Sequence, residues 1–228
     1  MKRLFALLLC MTILLCALPP TPACAAGSQV STAGVYKWSQ NDGRWSEIYS
    51  AYSWNKACAE VAIAIQIART HLVTVDESAE TFDINTGNGF NPASFAKAAV
   101  KYAGKSTSAS VGDWNFSKIV PGFKLYKGGD KEIDDVYPKY STYGKKFRYF
   151  PADTKEAVAE CMQYYLDHGY YPIIEGEGTN GSTHYVAVIS TRDTNGDGRP
   201  DDVIVINPNG GKRQSLYEVS SRKGYVFS

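Results

Sequence analysis

Apolar residues in this chain gather first into runs with helical spacing and later into short strand-like runs set between turn formers. ACAEVAIAIQIART (57–70) is almost wholly apolar, with Glu60 and Gln66 the only polar residues before Arg69. Alternation of Val61, Ile63, Ile65 and Ile67 would also suit a strand. Its length, the interleaved alanines and the lack of a turn favour a helix buried on most sides, capped by Ser53 or Asn55. NPASFAKAAVKYAGK (91–105) predicts a second helix, with Asn91 as cap, Pro92 at the first position and Gly104 as stop. DTKEAVAECMQYYLDHG (153–169) predicts a third, from a cap at Asp153 to a stop at Gly169. YYPIIEGEG, HYVAVIS and DDVIVIN then read as strands, the last two as an antiparallel hairpin, and KGYVFS as a strand that closes the sheet. Ahead of the first helix, VYKWSQNDGRWSEIYSAYSW suggests an extended, loop-rich approach, and 106–149 resists assignment. The expected class is α+β.

Composition narrows the setting. Lys2 and Arg3, the apolar stretch Leu4–Leu18 and the small residues Ala23 to Ala26 form an export signal cleaved after Ala26. A domain of 27–228 remains, long enough for one ample core, and its expected place is outside the cell or at its surface. That part carries 22 basic and 23 acidic residues, with no basic cluster interleaved with aromatics, so no nucleic-acid partner is expected. No later apolar run is long enough to span a membrane. The chain is expected to act as a monomer.

Three of the five cysteines, Cys10, Cys16 and Cys24, fall in the signal region; Cys58 and Cys161 do not. Two cysteines in an oxidising compartment suggest a Cys58–Cys161 disulfide. Cys58 also opens a helix, where unpaired N–H groups and the dipole lower a thiol's pKa. Cys161 lies on the apolar face of its own helix and suits a buried, inert thiol. Of three histidines, His71 and His168 suit helix C-termini. His184 begins a strand, and the hairpin register sets it beside Asn207 at the end of the next. The expected bond runs from Nδ1–H to the asparagine carbonyl, turning the other nitrogen toward a thiol.

With these residues in hand, the chain resembles the papain-like bacteriocin-leader-processing peptidases, and more closely their secreted, transporter-free relatives. The likeness rests on SQNDGRW, the cysteine opening a central helix, AVAECMQYYLDHGYYPIIEGEG, HYVAVIS and VIVINP, over about Val35 to Gly211. It implies a papain-like fold with the buried helix packed on an antiparallel sheet. It implies Cys58 as nucleophile, His184 as base and acid, Asn207 as orienting residue, and Gln40 as oxyanion donor with the Cys58 N–H. The implied reaction is cleavage of an amide bond in a peptide or protein substrate through a thioester, with no cofactor required. The chain departs from the family in having Ala59-Glu60 where Gly-Pro is usual, and Asn207 where aspartate is common. Glu60, two residues after the thiol, either raises its pKa or faces the substrate.

Between the hairpin strands, Asp193, Asn195, Asp197 and Asp201 stand at positions 1, 3, 5 and 9 of a calcium-loop pattern, with Gly198 at position 6. Position 12 is Ile204 in place of glutamate, so the competing reading is a solvated acidic tip. A structural calcium there would sit on the order of 20 Å from His184 and stiffen the hairpin only. The rival to the enzyme as a whole is a catalytically silent binding module on the same fold, carrying the Cys58–Cys161 disulfide.

Overall fold

A computed structural model describes residues 32–51, 57–103, 118–123, 148–151, 155–178 and 183–227. The export signal, the Ser53, Asn55 and Asp153 caps, Trp54, the Gly104 stop and most of 106–149 lie outside them. Residues 31–228 form one compact unit. Its helices are α1 (Thr32–Val35), α2 (Gly43–Ala51), α3 (Cys58–Arg69), α4 (Pro92–Ala103), α5 (Lys155–Asp167) and α6 (Leu216–Val219). Its strands are β1 (Arg148–Pro151), β2 (Ile173–Gly178), β3 (Thr183–Arg192), β4 (Asp202–Asn207), β5 (Lys212–Ser215) and β6 (Ser220–Phe227). They form one six-stranded sheet in the order β1-β6-β2-β3-β4-β5, every pair antiparallel. The class is α+β, as the patterning predicts.

Successive residues of a strand face opposite ways, and the sheet uses both faces. Ile173, Ala187 and Ile206 pack with α3 and α4 into a core that also holds Trp38, Trp45, Phe90 and Phe95. Ile174, Val186, Val188, Val203 and Val205 pack with Val158, Cys161, Met162 and Tyr165 of α5. The sheet therefore lies between the two cysteine-bearing helices. Both cysteines are thiols, and the expected Cys58–Cys161 disulfide is not formed. Period-3.6 patterning identifies the apolar face of each helix but cannot say which side of a sheet it covers.

Gln66 shows why an apolar helix keeps an amide. β3 slips register between Val188 and Ser190, and such a bulge leaves ladder groups unpaired. The fully buried Gln66 donates to Pro172 O and, at 2.9 Å, to Val188 O. Arg69 adds bonds to Val188 O and Ile189 O and is itself held by Gln66 Oε1 at 2.7 Å. Each of these carbonyls would cost about 1–3 kcal/mol if buried without a donor.

The α4 cap is as predicted: Asn91 Oδ1 accepts the Ser94 N–H at 2.9 Å and Ser94 Oγ accepts the Asn91 N–H at 3.0 Å. α5 ends as predicted at Gly169, whose φ is +76°. The bonds from the Tyr170 N–H to Tyr165 O and from the Gly169 N–H to Leu166 O close its last turn. Three expectations are corrected. The residue at the α3 cap position is Ala57, with no side-chain cap bond. The tryptophan-rich approach contains α2, because Asp42 Oδ1 accepts the Arg44 N–H at 3.0 Å and caps a helix where Asp-Gly reads as a turn. KGYVFS does not close the sheet at an edge; β6 enters between β1 and β2.

Candidate functional site

β3 starts and β4 ends at the same end of the sheet, and that register carries His184 to Asn207 with Nε2 2.8 Å from Oδ1. The side-chain roles follow from the neighbours. Asn207 Oδ1 accepts the Asn209 N–H at 2.8 Å, so it is the carbonyl oxygen, and Nδ2 donates to Gln214 Oε1 at 3.1 Å. His184 must then donate from Nε2–H, which leaves Nδ1 with the lone pair in the neutral ring. The nitrogen assignment expected from sequence is thus reversed, since a hairpin register places the ring without choosing its rotamer. His71 lies past the end of α3 with φ +58°, and His168 Nδ1 engages Tyr164 O at 2.7 Å while its ring stacks on Tyr164.

Gln40 is strapped to the same corner. Its N–H donates to Pro208 O at 2.8 Å, one residue past Asn207. Asn41 Nδ2 donates to Asn209 Oδ1 at 2.7 Å, and Ser39 Oγ accepts the Gly210 N–H at 3.1 Å. Gly211, at φ +61°, lies so close that a Cβ there would meet Lys37 O and come within 2.7 Å of Lys37 C. The chain thus joins residues far apart in sequence along a backbone seam. Gln40 Oε1 is buried without a hydrogen-bond partner. Ser39, Asn41, Asn209 and Gln214 escape a sequence reading because polar turn residues look alike until their partners are known.

Cys58 is the first residue of α3 and is 4 % exposed. Burial pushes its thiol above the ordinary range, and the Glu60 charge adds to that. Backbone N–H groups of Tyr185, Ala59 and Cys58 pull the other way. The lowering expected at a helix N-terminus is therefore present and is outweighed by desolvation, which a sequence cannot weigh. The Tyr185 N–H, one residue past His184, is what brings the thiol to the β3 end of the site.

Around the thiol lies an acidic cluster that sequence reasoning reached only through Glu60. Glu60 is 5 % exposed, its Oε2 has no hydrogen-bond partner, and burial pushes its carboxyl up to about 7. Glu175 faces Tyr185 across the β2–β3 ladder and bonds its phenol; burial raises both, with the Glu175 charge adding to the shift of Tyr185. The legible signal for Glu175 was its place directly after the apolar pair Ile173 and Ile174 of YYPIIEGEG, opposite HYV. An acid with its folded pKa raised loses stabilisation as pH climbs from its unfolded value of 4.5 toward 7, because the folded state must keep or shed the proton at a cost. Stability should fall by roughly 3 kcal/mol over that window from this group, and Glu60→Gln should flatten the curve. Urea unfolding at several pH values measures it; an unchanged slope in the variant would refute the assignment.

The acidic hairpin tip stands at the far end of β3. Asp193 accepts the N–H groups of Asn195, Gly196 and Gly198, Asn195 Oδ1 that of Asp197, and Asp197 Oδ1 that of Arg199. Asp201 holds the Thr194 N–H and hydroxyl at 2.8 and 2.7 Å. Among the described residues no group of three or more His, Cys, Asp or Glu side chains is arranged to hold a metal. No described helix is long and apolar enough to cross a membrane. Comparison with known proteins finds no matching family model, no similar curated protein and no similar solved structure.

Proposed function

We propose that the chain is an exported thiol hydrolase of papain-like architecture that cleaves an amide bond in a peptide or protein through a thioester. One observation carries the reading. At a single sheet end, His184 Nε2 meets Asn207 Oδ1 at 2.8 Å, the Gln40 N–H meets Pro208 O at 2.8 Å, and the Cys58 thiol receives the Tyr185 N–H. A cysteine, a histidine oriented by an asparagine, and a glutamine held at the same corner by its backbone supply the parts that acyl transfer requires.

In this reading His184 Nδ1 takes the Cys58 proton as sulfur attacks the carbonyl carbon. The oxyanion is met by the Cys58 N–H and the side-chain amide of Gln40. The imidazolium returns the proton to the leaving amine as the C–N bond breaks. Water, deprotonated by the same nitrogen, then cleaves the thioester. A thiol held protonated by burial makes the base essential, since little thiolate exists before substrate arrives. A calcium at the hairpin tip would stand outside this chemistry.

An activated ester should acylate Cys58 in a burst seen by intact mass. His184→Ala should slow that burst by roughly a hundredfold or more, the usual worth of a general base, and Asn207→Ala by less. A wild-type chain that never gains an acyl group would sink the reading. The rival, a silent binding module, no longer has its disulfide, but the burial of Cys58 and its raised thiol favour it. The same burst decides between the two.

A further inference from the structure

Glu60 is the third residue of α3, so it shares the helix's first turn with Cys58. Its side chain is buried, one carboxyl oxygen has no hydrogen-bond partner, and its own backbone N–H is the donor that acts on it. A purely structural role at this position would have the carboxylate reach back to cap the helix. Here the carboxyl takes only its own backbone N–H, and the cap position before Cys58 is Ala57, which has no side-chain acceptor. A buried acid with one unpartnered oxygen therefore stands in the same helical turn as Cys58.

The groups around it are set by the elements packed on α3. Cys58 lies on its own helix, Tyr185 faces it from β3 with His184 next along the strand, and Glu175 of β2 stands behind the Tyr185 phenol. Lys97 of α4 turns away to Glu80 O, and Lys101 lies over the Tyr102 ring. Asp202 of β4 is paired with Arg192 at the other end of the sheet. Tyr36, following α1, acts on Arg69 in the last turn of α3. The described groups around the thiol are therefore acidic and phenolic, with the His184 imidazole next along β3.

We infer that Glu60 is a positioning residue that acts through Cys58 and sets the pH range of its reactivity: protonated, it lets the thiol ionise, and ionised, it opposes the thiolate. This rests on Cys58 being the nucleophile. Two negative charges within one helical turn, both out of water, repel strongly. The first to ionise withholds ionisation from the second. Since the carboxyl is the stronger acid, the thiol bears the cost, and its ionisation is displaced to higher pH than it would have beside a neutral residue.

The test follows the rate of Cys58 alkylation by iodoacetamide, an uncharged reagent, against pH. Glu60→Gln should move the midpoint of that profile down by about one pH unit, so that at pH 8 the variant reacts about tenfold faster than wild type. A structural role would alter the melting temperature or the amplitude without moving the midpoint. An unmoved midpoint overturns the inference. If Glu60→Gln fails to fold, the wild type labelled with 13C at the glutamate carboxyls supplies the second readout. The Glu60 resonance should move once for its own titration and again as Cys58 ionises, and the second step should vanish in Cys58→Ala. A missing second step in wild type also overturns it. The coupling is separable from the hydrolase reading: Cys58 that alkylates with this dependence yet never accepts an acyl group leaves the coupling standing and removes the hydrolase.

Discussion

Cys58→Ala abolishes reaction of the folded chain with a small thiol-directed electrophile and leaves the fold in place. The expectation comes from the two-sided packing of the sheet. Cys161, 1 % exposed, is enclosed between α5 and the β-face formed by Val186, Val188 and Val205, so it reacts only when that layer opens. Cys58 sits at the mouth of α3, at the sheet end where His184 and Asn207 meet. Trading a buried sulfur for hydrogen removes one small atom, a loss of about 1 kcal/mol, which a unit of this size tolerates. Limited alkylation followed by peptide mapping measures it. Wild type should carry one rapid label at Cys58, the variant none, and urea-unfolded wild type a second label at Cys161. Rapid label on Cys161, or none on native wild type, would remove Cys58 from its role.

Gly211→Ala should both destabilise the chain and slow the chemistry. Gly211 holds φ +61°, where a side chain costs roughly 1–2 kcal/mol. The added Cβ would also lie on Lys37 O and within 2.7 Å of Lys37 C, backbone atoms that cannot rotate aside. Relief means moving the Lys37–Asn41 segment from the Asn207–Gly211 turn, losing the bonds Gln40 N–H to Pro208 O, Asn41 to Asn209 and Gly210 N–H to Ser39 Oγ. Overpacking and lost bonds together bring the cost to on the order of 4 kcal/mol. If Gln40 donates to the oxyanion, the acylation burst should also slow by roughly a hundredfold, while Cys58 alkylation holds its rate. Urea unfolding and burst kinetics on one preparation test both halves. A variant as stable as wild type would show that the seam is slack, and one that is destabilised but acylates normally would free Gln40 from its role.

Much of this fold is written locally. α3, α4, α5 and the β3–β4 hairpin follow from periodicity, the Asn91–Ser94 cap and the Gly169 stop, since each depends on residues within a few positions. The meeting of His184 with Asn207 was legible for the same reason: a short hairpin has few registers, and the one that buries Val186, Val188, Val203 and Val205 together carries both residues to its open end. α2 was misread because Asp-Gly serves both turns and caps, and the choice lies with how Trp45 is buried.

The sequence by itself determined the α+β class, the order of elements and the residues that could do chemistry, because side-chain period and capping are short-range properties. The tertiary structure decided the rest. It put Cys58 and Cys161 on opposite sides of one sheet, slid β6 between β1 and β2, tied Gln40 to Pro208, and turned Nε2 of His184 toward Asn207. It also reversed the balance at the thiol, since a helix N-terminus is visible in sequence while the exclusion of water from Cys58 and Glu60 arises only when distant segments close over them.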